Sequence, residues 1–260
     1  MSLATFLRRL EAQARAAGWP VTTHSYGPSP EQQADLRLPG GPGPHPVVVV
    51  FHGGFWLQDW DRHLMDAVCI DLARRGWATW NAEYRRLGSG GGVPATLDDV
   101  RAAALALASL DAPLDRSRVV SLGHSAGAHL ALWLAGTGTV TGAVSLAGVC
   151  DVAGAAREGL AGGVAAAFLG GGPQDAAEAY RTADLGLRLP TGVPQVVVHG
   201  ERDRAVPPGH SRWYAQRCRE AGDPCTLVEL PDTGHFELID PGSEAWATVC
   251  THLGALTGRP

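Results

Sequence analysis

The segment Gly123-His124-Ser125-Ala126-Gly127 stands directly between a strand pattern and a helix pattern. β-Branched and apolar residues at 118–122 predict a strand, and the apolar run at 126–135 predicts a helix. A junction this short leaves Ser125 on a tight turn, and glycine two residues to either side lets the strand and the helix approach without a Cβ clash. The segment therefore predicts a βα unit with a serine at its turn.

Strand and helix patterns alternate along most of the chain. Further strands are predicted at 47–51, 77–81, 140–147, 195–199 and 226–230. Further helices are predicted at 64–75, 97–110, 211–220 and 243–253. The run at 47–51 is continuously apolar, which is typical of a strand buried on both faces. The alternation predicts an α/β fold with a mostly parallel central sheet and helices on both faces.

The beginning of the chain has a different pattern. Apolar residues at helical spacing between Leu3 and Leu10 predict an amphipathic helix, and the charged residues among them are not typical of a signal peptide. Short strands are predicted at 21–26 and 34–38, separated by a turn-rich segment. We expect these two strands to pair as an antiparallel edge.

A second departure from the alternation lies between the strands at 140–147 and 195–199. Residues 149–190 are rich in Ala and Gly, with one helix predicted at 163–169. We expect this segment to form a small cap or lid over the sheet edge. The 260 residues are otherwise expected to form a single domain, 1–260, because α/β folds of this size often have one core.

Composition excludes several classes of partner and location. The net charge is −5 and the basic residues form no run, so nucleic acid is not an expected partner. No stretch approaches the roughly 18 apolar residues of a membrane span. Five cysteines without zinc-binding spacing predict neither a disulfide framework nor structural zinc, and a reducing cytoplasm is the simplest compartment. The oligomeric state stays open, a homodimer included.

Ser125 has the setting of a nucleophile. A serine hydroxyl is weak at neutral pH and needs a base, which a carboxylate must in turn orient. Where G-x-S-x-G marks a strand-to-helix turn, the acid follows a late strand and the histidine comes after it. Asp203 lies in the loop after the strand at 195–199 and is the expected acid, with Glu201 as the alternative.

Two of the histidines that follow Asp203, His210 and His235, are candidates for the base. His210 falls at the start of a predicted helix, whereas His235 lies in a turn after the strand at 226–230. An imidazole on such a loop can reach over the nucleophile. We therefore expect Ser125, Asp203 and His235 to form a catalytic triad.

A glycine pair follows the first central strand, in His52-Gly53-Gly54-Phe55-Trp56. Glycine amides are not obstructed by side chains, and backbone N–H groups stabilise the negative charge that develops on a carbonyl oxygen. We expect Gly53 and Gly54 to donate to this oxyanion, together with Ala126 behind the nucleophile.

Aromatic residues next to this glycine pair are candidates for substrate contacts. Phe55 and Trp56 are expected to flank a compact acyl group, and Trp56 is preferred to Trp60 for this role. A plain packing role is the alternative for each tryptophan.

Taken together, these motifs resemble the carboxylesterase and kynurenine formamidase branch of the α/β-hydrolases. The segment His52-Gly53-Gly54-Phe55-Trp56 is similar to the HGGxW signature of that branch, and Glu83-Tyr84-Arg85 follows the next strand. With the Ser125 motif, Asp203 and His235, the resemblance covers the chain from about residue 30 onward. It implies the α/β-hydrolase fold, hydrolysis of a small-molecule ester or formyl amide, and no cofactor.

Other interpretations use the same residues. An acyltransferase or thioesterase would keep the triad and differ in its pocket and acceptor, and a non-catalytic binding protein on this fold is a further alternative. His124 and His129 have no third ligand nearby in the sequence, so no metal site is expected. The glycine-rich residues 88–92 lack the Lys-Ser/Thr ending of a phosphate-binding loop.

Overall fold

The computed structural model describes residues 3–259, which form eight β-strands and nine α-helices. The strands are β1 (Thr22–Ser25), β2 (Gln33–Arg37), β3 (His45–Phe51), β4 (Ala78–Ala82), β5 (Leu114–His124), β6 (Gly142–Leu146), β7 (Gln195–Gly200) and β8 (Cys225–Leu230). The helices are α1 (Leu3–Ala17), α2 (Asp66–Arg74), α3 (Ala95–Ala106), α4 (Ala126–Ala135), α5 (Val152–Glu158), α6 (Leu160–Leu169), α7 (Ala177–Ala183), α8 (Gly209–Ala221) and α9 (Glu244–Thr257). None of the described helices has the length and apolar character required to cross a membrane.

All eight described strands form one sheet in the order β1-β2-β4-β3-β5-β6-β7-β8. The β1–β2 and β2–β4 pairs are antiparallel, and every pair from β4 to β8 is parallel. Both the mostly parallel sheet and its antiparallel edge are therefore confirmed.

Strand β3 lies at the centre of the fold and is buried along its whole length. Val47, Val49 and Phe51 belong to an apolar cluster on one face, which includes side chains of α3, α4 and α8. Val48 and Val50 belong to the cluster on the other face, with side chains of α2 and α9. Burying each valine stabilises the fold by roughly 1.5–3 kcal/mol, so the continuous apolar run requires cover on both faces.

The predicted elements agree closely with the structure where the pattern is strongly apolar. Helix α4 has the predicted bounds, whereas β5 begins four residues before the predicted start at 118, because the polar residues at its beginning break the apolar run. Helices α5 and α7 were not predicted, since alanine and glycine carry little periodic signal.

The parallel strands bring four loops to one edge of the sheet. Gly53 follows β3, Ser125 follows β5, Asp203 follows β7 and His235 follows β8. The carboxyl ends of parallel strands are where open α/β sheets bind their ligands. The candidate residues are therefore gathered at the edge where a site is expected.

Candidate active site

Ser125 occupies the turn between β5 and α4 with φ of 57° and ψ of −118°. Residues with a Cβ rarely adopt this φ, so the turn is strained. The Ser125 amide donates to the carbonyl of Leu146 at 2.8 Å, and its carbonyl accepts from the amide of Val149 at 3.3 Å. The end of β6 and the residues after it hold the serine in this conformation.

The two glycines of the motif are required by close backbone contacts. A Cβ on Gly123 would lie 2.0 Å from the carbonyl oxygen of Gly127, and a Cβ on Gly127 would lie 2.2 Å from that of Phe51. Neither position has room for a side chain, because the atoms that a Cβ would meet belong to the backbone of a neighbouring segment. The glycine spacing thus allows β3, β5 and α4 to meet beneath Ser125.

Asp203 and His235 form a hydrogen-bonded pair in which Nδ1 lies 2.6 Å from Oδ2. The amides of Ala205 and Val206 donate to Oδ1 at 2.8 Å and 2.9 Å. Burial raises the pKa of Asp203, but hydrogen bonds from His199 and His235 outweigh it and hold that pKa below its usual value. The charged carboxylate only accepts, so Nδ1 of His235 carries the proton and Nε2 faces away from the pair.

His199 is a second imidazole on the same carboxylate and was not predicted as a site residue. Its Nε2 lies 3.2 Å from Asp203 Oδ2 and 3.0 Å from the carbonyl oxygen of Val206, while Nδ1 lies 2.6 Å from Ser211 Oγ. It is fully buried near the end of β7, directly after three consecutive valines. That polar residue among valines was the one signal in the sequence.

His124, beside the nucleophile, contacts the loop of His235. Its Nε2 donates to the carbonyl of His235 at 3.0 Å, and the two rings lie 4.5 Å apart. Burial, with the nearby His235, lowers the pKa of His124 to about 3, so it stays neutral. His124 thereby ties the loop of His235 to the turn of Ser125.

The alternatives to this pair lie elsewhere. Glu201 is exposed, and His210 accepts a hydrogen bond from the amide of Asp151 at 3.3 Å. Among the described residues, neither forms a hydrogen bond or ion pair with Asp203 or His235. The structure thus brings Asp203, rather than Glu201, next to His235, rather than His210.

Ser125 and His235 line the same cavity, which has a volume of about 170 Å³. Within residues 3–259, the hydroxyl of Ser125 makes no hydrogen bond to His235, and such contacts often tighten only when a substrate is bound. The other residues that line the cavity are Leu3, Gly54, Phe55, Trp60, Leu64, His124, Ala205 and Phe236. The cavity is therefore mostly apolar, with the serine and the imidazole as its reactive groups.

The glycine pair after β3 lies next to Ser125. A Cβ on Gly53 would lie 3.0 Å from the Cβ of Ser125, and Gly54 has φ of 106°. Among the described residues, no backbone acceptor takes the amide of Gly53 or Gly54. Ala126 is the first residue of α4, so its N–H has no partner within the helix. Three amide donors are thus available beside the serine.

Comparison with known families places this arrangement in context. The chain matches one family model, BD-FAE, over residues 35–217. It belongs to the BD-FAE family. This family is an esterase domain of the α/β-hydrolase type. The match includes Gly53, Ser125 and Asp203 and ends before His235, and no curated protein matches the chain.

Solved structures share the fold of this BD-FAE chain. A truncated carbohydrate esterase from gut microbiota has a TM-score of 0.81 at 18% identity, over 93% of this chain and 98% of its own. Esterase B from Lactobacillus rhamnosis has a TM-score of 0.79 at 20% identity, over 98% and 92%. The hyperthermophilic esterase from Pyrobaculum calidifontis has a TM-score of 0.75 at 21% identity, over 99% and 94%. These similarities confirm the α/β-hydrolase fold.

Buried polar residues hold the glycine loop of this BD-FAE domain. His52 Nε2 lies 2.8 Å from Glu83 Oε1, and Nδ1 lies 2.7 Å from the carbonyl oxygen of Gly53. Tyr84 stacks on the His52 ring at 4.5 Å and donates to the His52 carbonyl, and Arg86 donates to the carbonyl of Trp60. The Glu83-Tyr84-Arg85 segment of the sequence thus contributes to the support of the loop.

The aromatic residues that line the cavity are in part different from the predicted pair, Phe55 and Trp56. Phe55 lines the cavity, as does Trp60, whereas Trp56 does not. Trp56 is fully buried and stacks on Phe168 at 4.3 Å, with His129 at its edge. Trp56 has a positive φ of 57°, and its side chain belongs to the core, so Trp60 rather than Trp56 lines the cavity beside Phe55.

One group of three side chains with metal-ligating atoms occurs among the described residues, namely Asp35, His63 and Asp66. Arg62 Nε lies 2.9 Å from Asp35, and Arg37 Nη2 lies 2.7 Å from Asp66. Each carboxylate therefore already has a cationic partner, and none of the three residues lines the cavity of Ser125. We interpret the group as an ion-pair network of the BD-FAE domain.

The close contact at Gly127 predicts a large loss of stability on substitution. Gly127→Ala is expected to lower the free energy of unfolding by about 3 kcal/mol or more, because its Cβ would overlap the Phe51 carbonyl. The matched control is Gly209→Ala, where a Cβ meets no atom within 4 Å and the change should stay within about 0.5 kcal/mol. Urea unfolding of both variants measures the difference, and equal midpoints would contradict the packing described.

Proposed function

We propose that this chain is a serine hydrolase that cleaves esters of small acyl groups or formyl amides. The observation that carries the proposal is the 2.6 Å pair of Asp203 and His235 at a cavity that His235 shares with Ser125. Acyl transfer requires a serine, an imidazole that takes its proton, and a buried carboxylate that orients the imidazole. In this proposal, Ser125, His235 and Asp203 form the catalytic triad.

The first half of the reaction forms an acyl-enzyme. Ser125 Oγ attacks the substrate carbonyl carbon while its proton passes to Nε2 of His235. The carbonyl oxygen becomes an oxyanion, which accepts hydrogen bonds from the amides of Gly53, Gly54 and Ala126. The C–O or C–N bond then breaks, and the leaving group takes the proton from His235.

The second half returns the enzyme to its starting state. Water attacks the acyl carbon and gives a proton to His235, and the acid departs as that proton returns to Ser125 Oγ. Asp203 stays ionised throughout and stabilises the imidazolium that forms in each half. This sequence needs no cofactor.

The size of the cavity supports a small acyl group. About 170 Å³ is below the roughly 300–1,000 Å³ of typical pockets for drug-sized ligands. Aromatic walls from Phe55, Trp60 and Phe236 fit a short aliphatic or planar acyl group. We therefore expect formyl, acetyl or butyryl derivatives to be better substrates than long-chain esters.

A panel of substrates tests the proposal. We expect the highest kcat/KM for p-nitrophenyl acetate or butyrate, with a fall beyond about eight carbons, because each methylene left outside the cavity forgoes roughly 0.8 kcal/mol. N-formylkynurenine in the same panel distinguishes a formamidase from an esterase, and a short acyl thioester tests the thioesterase alternative. A maximum of kcat/KM at p-nitrophenyl palmitate would contradict the small pocket. If the protein hydrolyses no substrate of the panel, the proposed hydrolase function is wrong.

A further inference from the structure

Helix α1 contributes to the cavity of Ser125. Leu3, the first described residue of α1, lines that cavity together with Phe236 and Trp60. It is 42% exposed, so part of its side chain faces solvent and it lies at the rim. The other lining residues lie at the ends of strands or in the segments that follow them, with His124 as the last residue of β5 and Leu64 in the short 3-10 turn before α2. Leu3 is therefore the one residue of an α-helix among the described residues that line the cavity.

The docking of α1 onto the loop of His235 fixes the position of Leu3. Phe6 is buried and its ring centroid lies 5.7 Å from that of Phe236, the residue after His235. Arg9 pairs with the carboxylate of Asp240, and Leu10 is buried in the same small cluster. The helix is thus held by an apolar contact and an ion pair on one side of the cavity.

The opposite end of the cavity rim belongs to the loop that follows the glycine pair. Leu7 and Leu10 face Trp60 and Leu64 across a shallow groove. Helix α1 therefore spans from the His235 loop to the glycine loop. A helix in this position borders the cavity that Ser125 and His235 share.

Residues 149–190, which the sequence predicts to form a small cap or lid over the sheet edge, lie apart from the lining of the Ser125 cavity. No residue of 149–190 lines it, within the part of the chain described. Phe168 of α6 packs on Trp56, and the carbonyls of Thr182 and Ala183 in α7 accept from Trp133 and His129 of α4. These contacts place the segment against α4 and the inner side of the glycine loop, away from Leu3.

We propose that α1, through Leu3, sets the longest acyl chain that the site accepts. The inference rests on the proposed hydrolase function and adds the element that determines its chain-length specificity. A chain growing beyond the rim meets the Leu3 side chain before it reaches solvent. The size of residue 3 should therefore change the ratio of activities on long and short esters, while the chemistry at Ser125 stays the same.

Two substitutions at Leu3 in the full chain test this inference. Leu3→Trp should lower kcat/KM for p-nitrophenyl hexanoate relative to p-nitrophenyl acetate by at least about tenfold. The larger side chain would displace two or more methylenes of the acyl chain from the cavity, and each displaced methylene lowers kcat/KM roughly fourfold. Leu3→Ala should shift the ratio in the opposite direction and raise relative activity on the octanoate. Since Leu3 is already partly exposed, both variants should fold.

Leu105 provides the matched control. It lies on α3, is 53% exposed and does not line the cavity, so Leu105→Trp and Leu105→Ala should leave the chain-length profile unchanged. Profiles that are the same in the Leu3 variants and the wild type would overturn the role of α1. A wild type that hydrolyses no p-nitrophenyl ester would instead contradict the proposed function itself, so the two failures are distinct.

Discussion

Ser125→Ala is expected to lower kcat/KM by a factor of about 10⁴ or more while the fold is retained. Without the hydroxyl no acyl-enzyme can form, and only the oxyanion donors and binding contacts remain to assist hydrolysis. The hydroxyl makes no hydrogen bond among the described residues, so its removal leaves no buried polar group unpaired. Initial rates on p-nitrophenyl acetate measure the loss of kcat/KM, and a thermal melt shows whether the fold is retained.

A serine away from the site controls for the substitution itself. Ser109 is exposed in the short turn that follows α3, and its hydroxyl donates to the carbonyl of Ala106. Ser109→Ala should therefore retain the activity of the wild type. An Ser125→Ala protein that melts normally but keeps more than about a hundredth of the activity would be inconsistent with Ser125 as the nucleophile.

The second large effect is expected for Asp203→Asn, with kcat falling by about 10⁴. The amides of Ala205 and Val206 donate to Oδ1, so an asparagine would keep its oxygen there and present its NH₂ group to His235. Nδ1 of His235 would then accept instead of donating, which moves the ring proton to Nε2. An imidazole in that tautomer cannot take the proton of Ser125.

Glu201→Gln is the matched control for this substitution. Glu201 is two residues away in the same loop, but it is exposed, and the carboxylate bonded to His235 is that of Asp203. We expect its kcat to stay within a factor of about two of the wild type, since exposed charges contribute little. If Glu201→Gln lost activity while Asp203→Asn remained active, the acid would have to be reassigned.

Much of the fold follows from local sequence pattern. The apolar runs of β3 and β7 and the helix after Ser125 carry strong signals, because elements buried on both sides must be apolar throughout. The position of Ser125, Asp203 and His235 at one edge of the sheet was equally predictable, since parallel strands bring the loops after them to the same edge.

The remainder depends on contacts between segments that are distant in the chain. Trp60, and not Trp56, lines the cavity, because Trp56 is buried against Phe168, a contact between distant segments that sequence pattern does not reveal. Leu3 reaches the cavity because α1 docks through the packing of Phe6 on Phe236 and the ion pair of Arg9 with Asp240. Amphipathic spacing predicted that α1 exists, but it does not specify the surface on which a helix docks.

The support behind the site was the least predictable part. A strand position in the sequence could not show that His199 would bond the carboxylate of Asp203. A Cβ on Gly200 would lie 2.2 Å from the carbonyl oxygen of Thr233, so this glycine lets the acid loop and the histidine loop touch. Such contacts form only where two loops pack together, so the sequence of either loop alone does not predict them.

The identity of the nucleophile can be measured directly by reaction of the full chain with a fluorophosphonate probe, followed by peptide mass spectrometry. Phosphonates react with a serine that an adjacent base activates, so we expect a single adduct on the peptide that contains Ser125. The Ser125→Ala protein should take up no probe, and Asp203→Asn should react far more slowly than the wild type. An adduct on a different serine, or a folded wild-type protein that stays unlabelled, would contradict the assignment of Ser125 as the nucleophile.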